Sequence, residues 1–170
     1  MKKTILIANL ILISFVATIP TFAYNERDLA KFKALNACEG CDLNEANLSG
    51  AYLHGANLYG ADLSGVNLSG ATLSIANLSG VDLSGATLED AKIRYANLSD
   101  SILEDAYLSG ADLSGTDLSG ANLNSAKLSD TNLSDVNLSG ADLRGADLHG
   151  VDLRTTNLYE AYLRGANLSG

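Results

Sequence analysis

The residues whose type and spacing most directly suggest chemistry are the two cysteines of Cys38-Glu39-Gly40-Cys41. A CxxC pair can close a disulfide, stay as two buried structural thiols, or contribute to a metal or redox site. The metal or redox reading is the weakest, because a tetrahedral site needs more ligands and the chain has no second CxxC. Buried thiols and a Cys38–Cys41 disulfide both stay open. Beyond the cysteines the chain offers two histidines, His54 and His149, and abundant serine, asparagine and aspartate. What those groups can do depends on how the chain spaces them.

The chain has 170 residues, 46% of them hydrophobic, which is enough for a packed interior. It has no Trp, one Pro and three Phe, a narrow usage that signals a repeat. The segment from Met1 to Ala23 differs from the remainder. Lys2 and Lys3 precede a mostly apolar run from Ile5 to Ile19, and Pro20-Thr21-Phe22-Ala23 ends it with small residues at Thr21 and Ala23. That layout predicts a secretory signal peptide over residues 1–23, cleaved after Ala23. The apolar run is shorter than the roughly 20 residues that span a bilayer, so no membrane span is expected after cleavage. No cysteine directly follows the run, which argues against a lipoprotein anchor. Cleavage removes two of the 11 lysines and arginines, leaving nine against 20 acidic residues, a net charge of −11 in place of −9. The expected location is periplasmic or secreted. A nucleic-acid partner is not expected, since that would call for a basic face.

From Leu43 to Leu168 every fifth residue is Leu, with Ile93 the single exception. Two positions earlier, from Cys41 to Ala166, the residue is always small: 17 Ala, four Val, three Thr, Ser101 and Cys41. These make 26 consecutive five-residue words with no insertion. On an α-helix a step of five would scatter the leucines around the cylinder. On a flat strand an odd period would alternate them between faces. All of them can point inward only if the backbone turns once per word, which winds the chain into a stacked coil. The fourth position is then mostly Ser and the fifth is Gly in 15 of 26 words, as expected at a corner.

The tandem A(D/N)LxG words, such as "ANLSG" at Ala46 to Gly50 and again at Ala166 to Gly170, resemble those of the pentapeptide repeat family. The resemblance covers Cys41 to Gly170. It implies an all-β fold, a right-handed quadrilateral β-helix with four words per coil and the Leu and small residues inside. On that basis 26 words give about 6.5 coils, a rod about 30 Å long at the β spacing. Residues four words apart then become neighbours.

Residues 24–40 form a different lead-in, "YNERDLAKFKALNACEG". Asn25 is placed to cap a short helix, with Asp28 as a variant of the capping box and Leu29, Phe32 and Leu35 as its apolar face. Such a helix would cover the open first edge of the stack. Cys38 falls in the Leu register and Cys41 in the small register, so both are expected at the top of the core. At the other end the repeat runs to Gly170, and the resemblance implies a homodimer through the C-terminal coil.

With four words per coil, the outward second positions form columns. Asn57, Asn77, Asn97, Asp117, Asn137 and Asn157 read as a structural ladder of stacked side chains. Asp42, Asp62 and Asp82 read as a solvated acidic column; calcium is the weaker reading, since its sites usually gather six or more oxygens. The words from Ala86 to Gly110 depart furthest from the consensus. Their Glu89, Asp90, Lys92, Arg94, Tyr95, Asp100, Ile102, Glu104, Asp105 and Tyr107 form the first-choice partner-binding belt; Arg144 and Arg164, four words apart, are the second choice. No enzyme is expected: His54 and His149 lie about five coils apart, and no Ser, His and Asp converge in a cleft. No cofactor or metal is implied. The expected function is an exported non-catalytic scaffold or protein-interaction module with an unidentified protein or envelope partner. The alternative, implied by the resemblance, is an acidic DNA mimic that binds DNA gyrase or another DNA-binding protein.

Overall fold

The computed structural model describes residues 24–170. The signal-peptide reading of residues 1–23 lies outside the described residues.

From Ala37 onward the chain pairs with itself in parallel at a constant offset, as in Ala37 with Asn57, Asp42 with Asp62, Asn47 with Asn67 and Tyr52 with Thr72. The offset is four words, so each coil has four sides, here called the Asn57, Asp62, Asn67 and Tyr52 sides. The pairing begins at Ala37, one word earlier than the expected start at Cys41, because Cys38 already occupies the Leu position. Each pairing is locked on both flanks. Leu43 N–H donates to Asp62 O at 2.8 Å, and Asp62 N–H donates to Cys41 O at 2.8 Å.

The corners are β-turns. Ala46 N–H donates to Leu43 O at 3.1 Å, and the same bond recurs from word to word. From Glu45 to Gly165 the fifth residue takes a positive φ, between +55° at Glu45 and +78° at Gly165, as type II turns require at their third residue. Glycine enters this region without steric cost, which explains its frequency there. Thr155 is the one fifth-position residue between Glu45 and Gly170 that does not adopt it. The pairing of Asn132 with Asp152 is missing on the same side. There the Thr155 hydroxyl, instead of a backbone carbonyl, accepts from Asp135 N–H at 2.9 Å. A β-branched residue fits the left-handed region poorly, so the side opens locally.

The core is the inner wall of the coil. Leu43 through Leu148 are all buried, as are nearly all the small residues two positions before them. Each buried Leu contributes about 1.5 to 3 kcal/mol before ordering entropy. The inward polar residues are satisfied: Thr116 and Thr131 hydroxyls donate to Ile93 O and Leu108 O at 2.8 and 3.1 Å, and the Ser101 hydroxyl donates to Leu98 O at 2.7 Å.

Helix α1 spans Glu26–Leu35, and the Asn25 side chain accepts from Arg27 N–H and Asp28 N–H at its start. Two expectations need correction. Asp28 does not close a capping box on Asn25; its Oδ2 accepts from Asp42 N–H at 3.1 Å, while Asn25 N–H donates to Asp42 O at 3.1 Å. Leu35 is 66% exposed while Phe32 is 2% exposed. A step of six places Leu35 about 120° around the helix from Leu29, so only Phe32 and part of Leu29 reach the core.

Candidate functional site

Most of the outward second-position side chains are committed to holding the corners. Asp62 Oδ1 accepts from Ser64 N–H at 3.0 Å and from its hydroxyl at 2.7 Å. Asp82 and Ser84 repeat this at 2.9 and 2.6 Å, as do Asn97 and Ser99 at 3.0 and 2.8 Å. These are Asx turns, in which a short side chain satisfies the amide two residues on. They offset the repulsion expected in the Asp42, Asp62 and Asp82 column. The Asn ladder forms in pieces. Asn77 Nδ2 donates to Asn57 Oδ1 at 3.2 Å, Asn137 Nδ2 to Asp117 Oδ1 at 3.0 Å, and Asn157 Nδ2 to Asn137 Oδ1 at 2.9 Å.

Cys38 and Cys41 are joined by a disulfide at the top of the core, 0% and 3% exposed. The neighbouring backbone is tied to the α1 region by the Asn25 and Asp28 bonds to Asp42, and Asn36 Nδ2 donates to His54 O at 3.1 Å. Among the described residues no group of three or more His, Cys, Asp or Glu is placed to hold a metal ion. His149 Nδ1 lies 3.1 Å from the Ser169 hydroxyl, with the proton's position set by the ring tautomer. Arg144 and Arg164 stand on the same side in adjacent coils, in the paired words of Asp142 and Tyr162. Arg144 forks onto Asp142 on its own coil, with bonds of 2.5 to 3.0 Å. The side-chain hydrogen bond to Arg144 holds the Asp142 carboxyl below its usual range, and the same bond raises Arg144.

All ten belt residues are exposed, but the four-sided coil distributes them around the rod. Asp100 falls at the corner after the Asn57 side, Ile102, Glu104 and Asp105 on the Asp62 side, and Glu89, Asp90 and Tyr107 on the Asn67 side. Lys92, Arg94 and Tyr95 fall together on the Tyr52 side. The structure brings Arg94 and Tyr95 together with three residues outside the belt, His54, Ser74 and Ile75, around a surface cavity of about 250 Å³. Arg94 lies with its guanidinium carbon 5.4 Å from the centre of the Tyr95 ring. Its Nε donates to the Ser114 hydroxyl at 3.1 Å and lies 3.6 Å from Asp112 Oδ2. The rings of Tyr52 and His54 stack at 6.0 Å. Ile75 and Tyr95 are 60% and 61% exposed, although both hold the left-handed backbone, at φ +63° and +56°. The signal for Ile75 is present in the sequence. Among fifth-position residues, only Ile75 and Tyr95 are apolar or aromatic, and they stand four words apart.

A convex four-sided β-helix with words in unbroken register defines a repeat protein of the solenoid class. The chain belongs to the pentapeptide repeat family, whose family model matches residues 38–70, 67–105, 101–140 and 131–170. Among solved structures it is similar to HetL, a pentapeptide repeat protein involved in heterocyst differentiation regulation from Nostoc sp. strain PCC 7120, at 35% identity over 78% of this chain and 70% of that one, with a TM-score of 0.56. It is also similar to a pentapeptide repeat protein, Rfr23, from Cyanothece 51142, at 29% identity over 84% of this chain and 97% of that one, with a TM-score of 0.38. QnrB1, a plasmid-mediated fluoroquinolone resistance protein, shares 22% identity over 78% of this chain and 75% of that one, with a TM-score of 0.37. No curated protein matches the sequence.

Proposed function

We propose that this chain is an exported, non-catalytic pentapeptide repeat protein that serves as a scaffold or protein-interaction module outside the cytoplasm. On this reading its 26 words wind into about 6.5 right-handed coils, with α1 covering the first edge. One observation carries it. Inward positions keep their Leu and small residues through Leu148, while the departures from the word fall at exposed second, fourth and fifth positions. A chain that holds its interior constant and varies its surface presents side chains to a partner. Eight of its carboxylates and seven of its serine hydroxyls are engaged in turns, and its two histidines stand at distant corners.

Cell fractionation with N-terminal sequencing tests this reading. A protein beginning at Tyr24 in the periplasm or medium is the expected result. Full-length protein in the cytoplasm that inhibits gyrase supercoiling would overturn it in favour of the DNA-mimic reading. A second copy is proposed to dock on the final coil, where Leu153, Leu158 and Leu163 are only partly buried and Leu168 is 52% exposed. Leu168→Lys is expected to shift the sedimentation of such a dimer to that of a monomer.

A further inference from the structure

We propose that the corner carrying His54, Ile75, Arg94 and Tyr95 is a docking site for a protein segment that presents a carboxylate beside an aliphatic or aromatic side chain. This rests on the interaction-module reading and names its site and partner chemistry.

The first support is backbone strain. A non-glycine residue in the left-handed region costs about 1–2 kcal/mol, and a β-branched one is an outlier there. Ile75 accepts that cost at φ +63° without burying its side chain, which is 60% exposed. Glycine, the commonest residue at this position, would relieve the strain. Core packing therefore does not explain Ile75. Strain of this kind clusters at functional sites. Tyr95 repeats the situation one coil later on the same corner, so the two exposed side chains are contiguous.

The second support is charge. Between residues 37 and 105 the only lysine or arginine residues are Lys92 and Arg94, both on this side. The ten carboxylates of the same stretch belong to words on the other three sides, with Glu89 and Asp90 at the opposite edge of this face. Over this stretch the rod thus carries one basic strip, offset in part by Asp112 3.6 Å from Arg94 Nε in the next coil, and the strip is complementary to an acidic segment. Arg94 is also pre-oriented. Its Nε is held by Ser114, and its guanidinium lies over Tyr95. Its two terminal nitrogens have no partner among the described residues, which leaves the fork geometry that grips a carboxylate.

A sugar is the poorer fit. Platforms for sugars use free aromatic faces, and here Tyr95 has Arg94 over its ring and Gly115 against its edge, while Tyr52 and His54 stack on each other. The centre of the patch is the aliphatic Ile75, which suits an apolar side chain.

The test is panning a phage-displayed random peptide library on the purified protein, followed by affinity measurements with a synthetic peptide of the enriched sequence. Enriched peptides are expected to carry Asp or Glu beside Ile, Leu, Phe or Trp. Arg94→Gln and Ile75→Gly are each expected to weaken binding about tenfold or more, as for central interface residues. Ile75→Gly and Tyr95→Gly restore the repeat's own residue, so their melting temperatures should stay at or above the parent's, and lost binding cannot be assigned to unfolding. Three results would overturn the proposal. One is no enrichment over the unselected library. Another is a peptide whose affinity ignores all three substitutions, which removes this site while leaving an interaction module with a site elsewhere. The third is polygalacturonate binding through Arg94 in the absence of peptide binding, which would make the ligand an anionic glycan.

Discussion

The ring edge of Tyr95 lies against Gly115, the residue directly beyond it in the next coil, so closely that a methyl group on Gly115 would fall 2.5 Å from Tyr95 Cε1. Asp90 over Gly110 and Asp100 over Gly120 repeat the arrangement, at 2.6 and 2.5 Å from the carboxylate oxygen. A side chain at a corner thus leans toward the C-terminal end and uses the space that a glycine leaves. Where Tyr95 instead of glycine follows Ile75, two exposed side chains line one surface cavity.

Gly115→Ala is therefore expected to cost more than Gly85→Ala. Both place Cβ on a left-handed backbone, at φ +69° and +63°, but nothing lies within 4 Å of the Gly85 site. Gly85→Ala should cost about 1–2 kcal/mol, and Gly115→Ala more, because the Tyr95 ring must move. Urea denaturation of the single variants and of Tyr95→Gly/Gly115→Ala measures this. The double variant, referred to Tyr95→Gly, should fall back to the Gly85→Ala cost within about 0.5 kcal/mol.

Ile75→Gly should stabilise the rod. Relief of about 1–2 kcal/mol of left-handed strain exceeds the roughly 0.4–1 kcal/mol of added unfolded-state entropy. Thermal melts decide the sign. A lower melting temperature would mean that Ile75 packs for the rod.

Leu98→Ala should cost about 2–5 kcal/mol, the range for truncating a buried leucine, since Leu98 is 1% exposed near mid-rod. Leu98→Asp, which buries an unpartnered charge, should abolish the cooperative transition. A melting temperature within a few degrees of the parent's would contradict the inward register.

Loss of the Cys38–Cys41 crosslink should be mild. The loop it closes is short, and chain-entropy estimates for so small a loop are about 2 kcal/mol. Cys38→Ala/Cys41→Ala should lower the melting temperature while keeping the β-rich circular dichroism spectrum. Hydrogen exchange is expected to rise first in α1 and the first coil, the elements next to the bridge.

Asp152 is held at about 2, against an ordinary 3.8, by the side-chain hydrogen bond from Arg154. A carboxyl depressed by folding stabilises the fold above its unfolded value, and that contribution is lost as pH falls from about 3.8 toward about 2. Asp152 is exposed, so the effect on stability should be small. The midpoint itself is the better readout. Following the Asp152 carboxyl by NMR, Arg154→Gln should raise its titration midpoint toward 3.8.

The sequence alone sufficed for the buried half of this molecule. An unbroken period of five in Leu and small residues excludes helix and flat strand on geometry, and demands a corner in each word. It placed Cys38 and Cys41 at the top of the core and the Asn25 cap at the start of α1. Local signals failed where the partner was not local. Asp28 sits where a capping box would form, yet it serves Asp42, because the first coil presents an unpaired amide there. Leu35 is apolar but two steps of three beyond Leu29, and so faces solvent.

Tertiary structure decided the exposed half. Glu89 to Tyr107 are continuous in sequence, but a coil that turns a right angle at each word sends neighbouring words to different sides. It instead joins His54, Ile75 and Tyr95, which come from three words each a full coil apart. Burial is a property of position within a word, so the period determines it. A surface patch depends on which words stack, and that is settled only when backbone pairing fixes the offset at four words.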